Sequence, residues 1–264
     1  LIHLKMLDKI IIDKTDEIKL LKSSQKHSID DLLSMEFKKR DFYSSLKNKI
    51  NSGKNAIIAE LKKHSPSKGA LNENLDIANF AKLYEESGAA CISVLTDQKH
   101  FHGSINDLMI AKENVNIPIL RKDFILDESQ IIQSKLIGAD CILLIVACLS
   151  KVQFNELVEI SRELDIEILV EVHDRKELDI ALESNCKIIG INNRNLKTFD
   201  VSINTSIDLC DFIKDDDVIV ISESGIKDLD TIKILNVKNI NSFLIGESLI
   251  KSNDPRSLLK KLVS

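Results

Sequence analysis

Short runs rich in Ile, Val and Leu recur along the chain at a nearly regular distance, and that spacing constrains the fold more than any other feature. Candidate strands are Ala56–Leu61, Ala90–Thr96, Ile117–Lys122, Ala139–Val146, Ile166–Val172, Lys187–Asn192, Asp217–Ser222 and Asn241–Gly246, with starts 21 to 34 residues apart. That is the size of one strand plus one return helix. The runs are nearly continuous in apolar residues, as strands covered on both faces must be. Between them lie segments with apolar residues three and four apart, among them Leu75–Ser87, Glu128–Ile137, Val152–Leu164, Lys176–Glu183 and Lys227–Asn236, all of helix length. Eight such units predict an α/β chain closed into a (β/α)8 TIM barrel. The structural rival is an open doubly wound sheet, which usually has fewer strands and carries Gly-x-Gly-x-x-Gly after the first one. This sequence lacks that motif.

Residues 1–55 precede the repeat and predict an N-terminal helical extension: one or two amphipathic helices over Lys5–Lys22 and Ile29–Ile50, separated by the polar stretch Ser23–Ser28. A chain of 264 residues suffices for one large core and falls short of two full domains. The expectation is a single barrel domain over 1–264 that carries this extension and closes with a helix over Pro255–Val263, its proline in the first turn.

Charge narrows the partners. The 36 basic residues are outnumbered by 41 acidic ones, for a net charge of -5, and no Lys/Arg block forms a stripe that would track phosphate backbones, so nucleic acid is not expected. The longest apolar run, Cys141–Leu149, is far short of the roughly 18 residues that cross a bilayer. The opening Leu1–Ile12 is interrupted by Lys5, Asp8 and Lys9 and reads neither as a membrane span nor as a signal peptide. Five cysteines (Cys91, Cys141, Cys148, Cys186, Cys210) are odd in number, widely spaced and mostly inside apolar segments, as buried free thiols are. A reducing, cytoplasmic setting is expected. Helix faces on a barrel's outside look alike whether wet or paired, and the expectation is a monomer or a weak homodimer.

Charged and amide residues break the apolar runs where the strands end. On one parity the strands read Ile58, Glu60, Lys62; Leu120, Lys122, Phe124; Leu169, Glu171; Ile188, Gly190, Asn192, Arg194; and Ile219, Ile221, Glu223. Side chains alternate across a strand, so each polar residue shares a face with the apolar ones before it. If that face is the barrel interior, Glu60, Lys62, Lys122, Glu171, Asn192 and Glu223 converge at the C-terminal mouth, where barrels of this kind carry their active sites. Ammonium and carboxylate groups together suit proton transfer and anion binding. Solvation of strand ends is the plainer reading of any one such residue; five strands doing so together favour a site.

Ser222-Glu223-Ser224-Gly225 and Leu244-Ile245-Gly246-Glu247 each end a strand with a glycine, where backbone N–H groups can approach an oxyanion. Loops seven and eight are the recurrent phosphate site of the fold, so a phosphorylated small-molecule ligand is expected. The loop Lys63-His64-Ser65-Pro66-Ser67-Lys68-Gly69 is a candidate lid or simply a long surface turn. His100-x-His102 is the only close His pair and lacks a third ligand at recognisable spacing, so no metal site is expected.

These segments carry a family resemblance. Ile58-Ala59-Glu60-Leu61-Lys62-Lys63-His64-Ser65-Pro66-Ser67-Lys68-Gly69, Leu120-Arg121-Lys122-Asp123-Phe124-Ile125, Leu169-Val170-Glu171-Val172-His173, Ile189-Gly190-Ile191-Asn192-Asn193-Arg194-Asn195-Leu196, Ser222-Glu223-Ser224-Gly225-Ile226 and Leu244-Ile245-Gly246-Glu247-Ser248-Leu249 resemble, in order, the signature segments of the indole-3-glycerol-phosphate synthases. The resemblance covers essentially the whole barrel and the N-terminal extension. It implies a monofunctional carboxy-lyase of tryptophan biosynthesis that closes the indole ring of 1-(2-carboxyphenylamino)-1-deoxyribulose 5-phosphate with loss of carbon dioxide and water.

By the same resemblance, Lys122 is the general acid for ring closure, Glu171 the acid/base partner for dehydration, and Glu60 a supporting acid/base. Lys62 holds the substrate carboxylate, and Asn192, Arg194 and Glu223 orient hydroxyls and side chains. Ser65, Gly225, Gly246 and Glu247 line the phosphate site, with Ser224 a substrate contact beside them. Phe101 and Phe124 wall the anthranilate ring above Leu143. The chemistry implies no redox cofactor and no metal. His64 and Asn195 depart from the family pattern, where a small residue and an aspartate are expected. The alternatives are another phosphosugar barrel, such as phosphoribosylanthranilate isomerase with its expected Cys/Asp pair, or a non-catalytic phosphate-binding barrel.

Overall fold

The computed structural model describes residues 6–264. Lys5, the first residue of the predicted leading helix, and the start of the opening segment Leu1–Ile12 lie outside the described residues. Eight parallel strands form a closed barrel: β1 (Ala56–Leu61), β2 (Cys91–Leu95), β3 (Ile119–Lys122), β4 (Cys141–Ile145), β5 (Glu167–Val172), β6 (Ile188–Asn192), β7 (Ile219–Glu223) and β8 (Ser242–Ile245). Each pairs with its sequence neighbours, and β8 closes on β1 with Ala56 opposite Ser242 and Ala59 opposite Ile245. The predicted strands overlap the observed ones one for one, with ends shifted by a residue or two where the apolar run continues into a turn.

The predicted parity holds. Ile58, Leu120, Leu143, Leu169, Ile188, Ile221 and Leu244 fill the barrel interior, whereas Ile57, Ala59 and Leu61 of β1 pack outward against the helical layer. Helix starts are set locally by Asp or Ser caps. Asp76, Ser104, Asp127, Ser150, Asp174, Asp228 and Asp254 each accept a hydrogen bond from a first-turn backbone N–H, an arrangement that contributes about 1 kcal/mol per helix. Four helices, Gln98–Phe101, Ile105–Asn114, Asn204–Cys210 and Glu247–Ile250, occupy segments whose periodicity did not mark them.

The N-terminal extension corrects one expectation. Helix α1 (Met6–Ser24) follows the prediction, but Ile29–Ile50 divides into α2 (Ile29–Leu33) and α3 (Phe42–Asn51). The break is made by tertiary anchors. The Arg40 backbone N–H donates to Asp140 Oδ1 at 2.9 Å, and its guanidinium donates to the carbonyls of Ile117 and Lys112 at 3.1 and 2.9 Å. Asp41 then caps α3 through the Ser44 N–H. These bonds hold Arg40 against the N-terminal ends of β3 and β4 and leave no room for a continuous helix.

Helix α1 lies at the opposite, C-terminal face. Its buried residues Ile10, Lys14 and Ile18 recur four apart on one stripe. Lys14 Nζ meets Asp97 Oδ2 at 3.0 Å and Asp123 Oδ1 at 2.9 Å, beyond the ends of β2 and β3. Arg121 and Thr96 bond the other Asp123 oxygen. Burial opposes the charge on Lys14, but Asp123 and Asp97 outweigh it and hold the ammonium above the ordinary lysine range.

Candidate active site

Each strand that ends on a polar residue of the inward parity delivers it to one cavity of about 210 Å³ at the C-terminal mouth. Glu60, Lys62, Ser65, Phe101, Lys122, Phe124, Leu143, Glu171, Asn192, Arg194, Glu223, Ser224, Gly246 and Glu247 all line it. Gly225, next to Ser224, does not. Its φ of +82° serves the turn, in a region that disfavours side chains.

The centre of the site is one ammonium among carboxylates. Lys122 Nζ donates to Glu171 Oε2 at 2.8 Å and stands 3.3 Å from Glu223 Oε2. Asn192 Nδ2 donates to the other Glu171 oxygen at 3.1 Å, and Lys62 pairs with Glu60. Burial opposes the charge on Lys122, yet Glu171, Glu223 and Glu60 overcome it and keep the ammonium above its ordinary range. Burial likewise opposes the Glu171 carboxylate, but Lys122 and then His173 hold it well below the usual carboxylate range. Glu223 goes the other way. Burial, reinforced by the neighbouring Glu171 charge, outweighs Lys122 and pushes its carboxyl up to about 8. Two carboxyl groups around one cation are thus pushed in opposite directions, Glu171 toward its ionised form and Glu223 toward its protonated form.

Two glycines make the space. A Cβ on Gly190 would collide with Glu223 Oε1, and one on Gly246 with Glu60 Oε1. Gly246 therefore does more than approach an anion: its missing side chain admits a carboxylate from the neighbouring strand. Glu223 Oε1 is buried without a hydrogen-bond partner, an orphaned group of the kind that marks functional sites.

The apolar wall is Phe101 and Phe124, ring centroids 6.2 Å apart and planes tilted by 39°, with Leu143 and Ile145 lining the cavity between the strands. On the opposite flank, Ser65 Oγ accepts from the Lys68 N–H at 3.2 Å inside a short hairpin in which His64–Ser65 pairs with Gly69–Ala70. His100 and His102 lie beside this loop, His100 on Asp13 and His102 stacked on His64.

Sequence reasoning missed several contributors, Leu95, Ile145, Leu196 and Phe199 of the cavity lining among them. Met6, Leu7 and Ile10 of α1 also line the cavity; the amphipathic pattern of α1 gives it an inward face but does not say which end of the barrel that face covers. His173, two residues beyond Glu171, stands 3.3 Å from Glu171 Oε1 through Nε2, and the parity that picked out Glu171 would have reached it if extended by one step.

An eight-stranded parallel barrel with mixed ammonium and carboxylate groups at its C-terminal mouth defines an enzyme scaffold built for proton transfer. The family profile described as indole-3-glycerol phosphate synthase matches residues 7–262. The chain is 43% identical over 258 residues to the indole-3-glycerol phosphate synthase of Polaromonas sp. (strain JS666), covering 97% of both chains. It is 42% identical to that of Bordetella pertussis, covering 98% and 99%. The chain belongs to the indole-3-glycerol phosphate synthase family. Among solved structures, KGPDC from Streptococcus mutans superposes with a TM-score of 0.60 at 14% identity, covering 79% of this chain and 95% of that one; this likeness concerns the barrel fold alone.

Proposed function

We propose that this chain closes the indole ring of 1-(2-carboxyphenylamino)-1-deoxyribulose 5-phosphate, releasing carbon dioxide and water to give indole-3-glycerol phosphate for tryptophan biosynthesis. The observation that carries the reading is the Lys122–Glu171–Glu223 cluster, in which a charged ammonium, an ionised carboxylate and a largely protonated carboxyl share one buried site. Ring closure needs a proton on the ribulose carbonyl oxygen as the aromatic carbon attacks, and Lys122 is the donor in that step. Dehydration then removes the resulting hydroxyl as water, with Glu171 exchanging the protons and Glu60 supporting it. Lys62 holds the substrate carboxylate until it leaves as carbon dioxide.

Asn192, Arg194, Ser224 and Glu223 orient the ribulose chain, and the orphaned Glu223 oxygen is available to a substrate hydroxyl. Phe101, Phe124 and Leu143 take the anthranilate ring. The phosphate sits among Ser65, Ser224 and Gly246-Glu247, chiefly on main-chain N–H groups. Five free cysteines fit a reducing, cytoplasmic setting, and among the described residues no helix is long and apolar enough to cross a membrane.

An isomerase of the phosphoribosylanthranilate type is the less favoured reading, because the cavity is lined by Glu60 and Lys62 and by no cysteine among the described residues. The test is to incubate the protein with the carboxyphenylamino-deoxyribulose phosphate, without metal or nucleotide, and follow indole fluorescence. Product at an enzymic rate supports the synthase. Saturable binding without product points instead to a non-catalytic phosphate-binding barrel.

A further inference from the structure

Behind Glu171, on the side away from Lys122, lies a second line of titratable groups that the ring-closure reading does not use. His173 Nδ1 is 3.0 Å from Glu177 Oε2, and the same carboxylate accepts the His173 backbone N–H at 2.7 Å. The imidazole is thereby gripped from two directions. Its Nε2 stands 3.3 Å from Glu171 Oε1, buried and without the alignment of a hydrogen bond to it. Side-chain exposure falls from 18% at Glu177 to 10% at His173 and 3% at Glu171, so the three form a file running from a groove of about 580 Å³ into the site.

We propose that His173, held by Glu177, is a positioning residue that fixes Glu171 as an ionised base by presenting an imidazolium to the oxygen opposite Lys122. The inference rests on the ring-closure reading for what Glu171 does, and for the partnership itself on the two carboxylates that bracket the ring at 3.0 and 3.3 Å. Glu171 Oε2 is taken by Lys122, and Oε1 receives only the neutral Asn192 amide and the His173 ring. A cation at that distance favours the charged carboxylate. A fixed hydrogen bond at Nδ1 orients the ring and sets which nitrogen faces the partner. Burial opposes the charge on His173, but Glu171 and Glu177 outweigh it and push the imidazole up to about 10, so it carries its proton throughout the neutral range.

The other charged groups nearby are Lys122 and Glu223 across Glu171, Asp174 at the cap of the helix Arg175–Glu183, and Asp8, Arg194, Lys197 and Asp200 along the groove. The Cys148 thiol also feels Glu171 and Glu177, though burial is what mainly raises it. Among these, His173 is the titratable cation that meets Glu171 on the Oε1 side.

The test uses His173→Asn, which keeps a polar side chain and cannot ionise, and Glu177→Gln, which loosens the grip on the imidazole. Wild-type turnover is measured first. Absence of product there removes the ring-closure reading but leaves the electrostatic partnership testable by carbon-13 NMR titration of the glutamate carboxyls, which needs no activity. The expected result is an upward move of the Glu171 titration, and of the acidic limb of kcat/KM, by about one pH unit in His173→Asn and by less in Glu177→Gln. KM stays within about twofold, and kcat falls on the acidic side of the profile, where Glu171 begins to take up its proton, and not at neutral pH. A Glu171 titration and acidic limb that stay where wild type has them in both variants overturn the proposal, whatever happens to kcat. If His173→Asn does not fold, the Glu177→Gln titration alone decides.

Discussion

Lys14 Nζ lies 2.9 Å from Asp123 Oδ1, and neither side chain is more than 1% exposed. This pair fastens α1 of the N-terminal extension to the strand that ends in Lys122, one residue before Asp123. A contact outside the barrel repeat therefore fixes the wall of the cavity formed by Leu7 and Ile10.

Replacing Lys14 with Met keeps the stem and removes the charge, leaving Asp97 and Asp123 buried with less compensation. Loss of one partner from a buried ion pair destabilises by about 3–5 kcal/mol. Urea denaturation of Lys14→Met is expected to show a loss of that order, together with a raised KM as α1 loosens. A loss below about 1 kcal/mol, the range of exposed pairs, would mean that α1 is held by its apolar stripe alone.

Lys122→Ala removes the cation shared by Glu171 and Glu223. Turnover is expected to vanish while substrate affinity stays within about tenfold, roughly 1.4 kcal/mol. Indole fluorescence measures the first and equilibrium binding the second. Near-wild-type turnover would take Lys122 out of the mechanism.

Gly190 and Gly246 admit the carboxylates of Glu223 and Glu60. Gly190→Ala and Gly246→Ala are each expected to fold, because the atom that a Cβ meets most closely is a carboxylate oxygen in both, with Glu60 Cβ at 3.0 Å leaving less room in the second, and to move one carboxyl by about 1 Å. Displacements of that size cost on the order of a hundredfold in rate. Steady-state kinetics with a circular-dichroism control checks this, and unchanged kcat in either variant would show that its carboxyl tolerates displacement.

Glu223 sets a pH dependence of definite sign. Its carboxyl is raised from the ordinary 4.5 to about 8 in the folded protein, so between those values the native state binds a proton that the unfolded state has released. Its contribution to stability is thus fully present below 4.5 and declines as pH rises to about 8. Glu223→Gln removes that decline. Chemical denaturation at a series of pH values is expected to show the variant gaining stability relative to wild type across this window and levelling off above it. A difference independent of pH would mean that Glu223 is ionised throughout.

Much of this arrangement is legible in the sequence because it is local or periodic. The strands are readable from continuous Ile, Val and Leu runs, and the mouth from the parity that links Glu60 to Ile58 and Glu171 to Leu169. What escapes are relations between distant segments. Nothing near Arg40 announces that Asp140 will straighten the chain before α3, and nothing in α1 selects Asp123 as the partner of Lys14. The service of Gly190 to Glu223 is equally hidden, because a strand glycine has many explanations until its neighbour across the sheet is known.

Glu60 stands beside the seam where the first strand meets the last, and its carboxyl fills the space that Gly246 leaves just past β8. Synthesis from the N-terminus supplies Glu60 early and its neighbour nearly last. A nascent chain that has displayed the first seven strands already owns Lys122, Glu171, Asn192 and Glu223, yet its barrel is an open sheet with two unsatisfied edges. Catalytic competence is therefore expected in one step, with the final strand, and a chain truncated inside the last unit is expected to show no turnover where a graded loss would mean that the open sheet already holds the site.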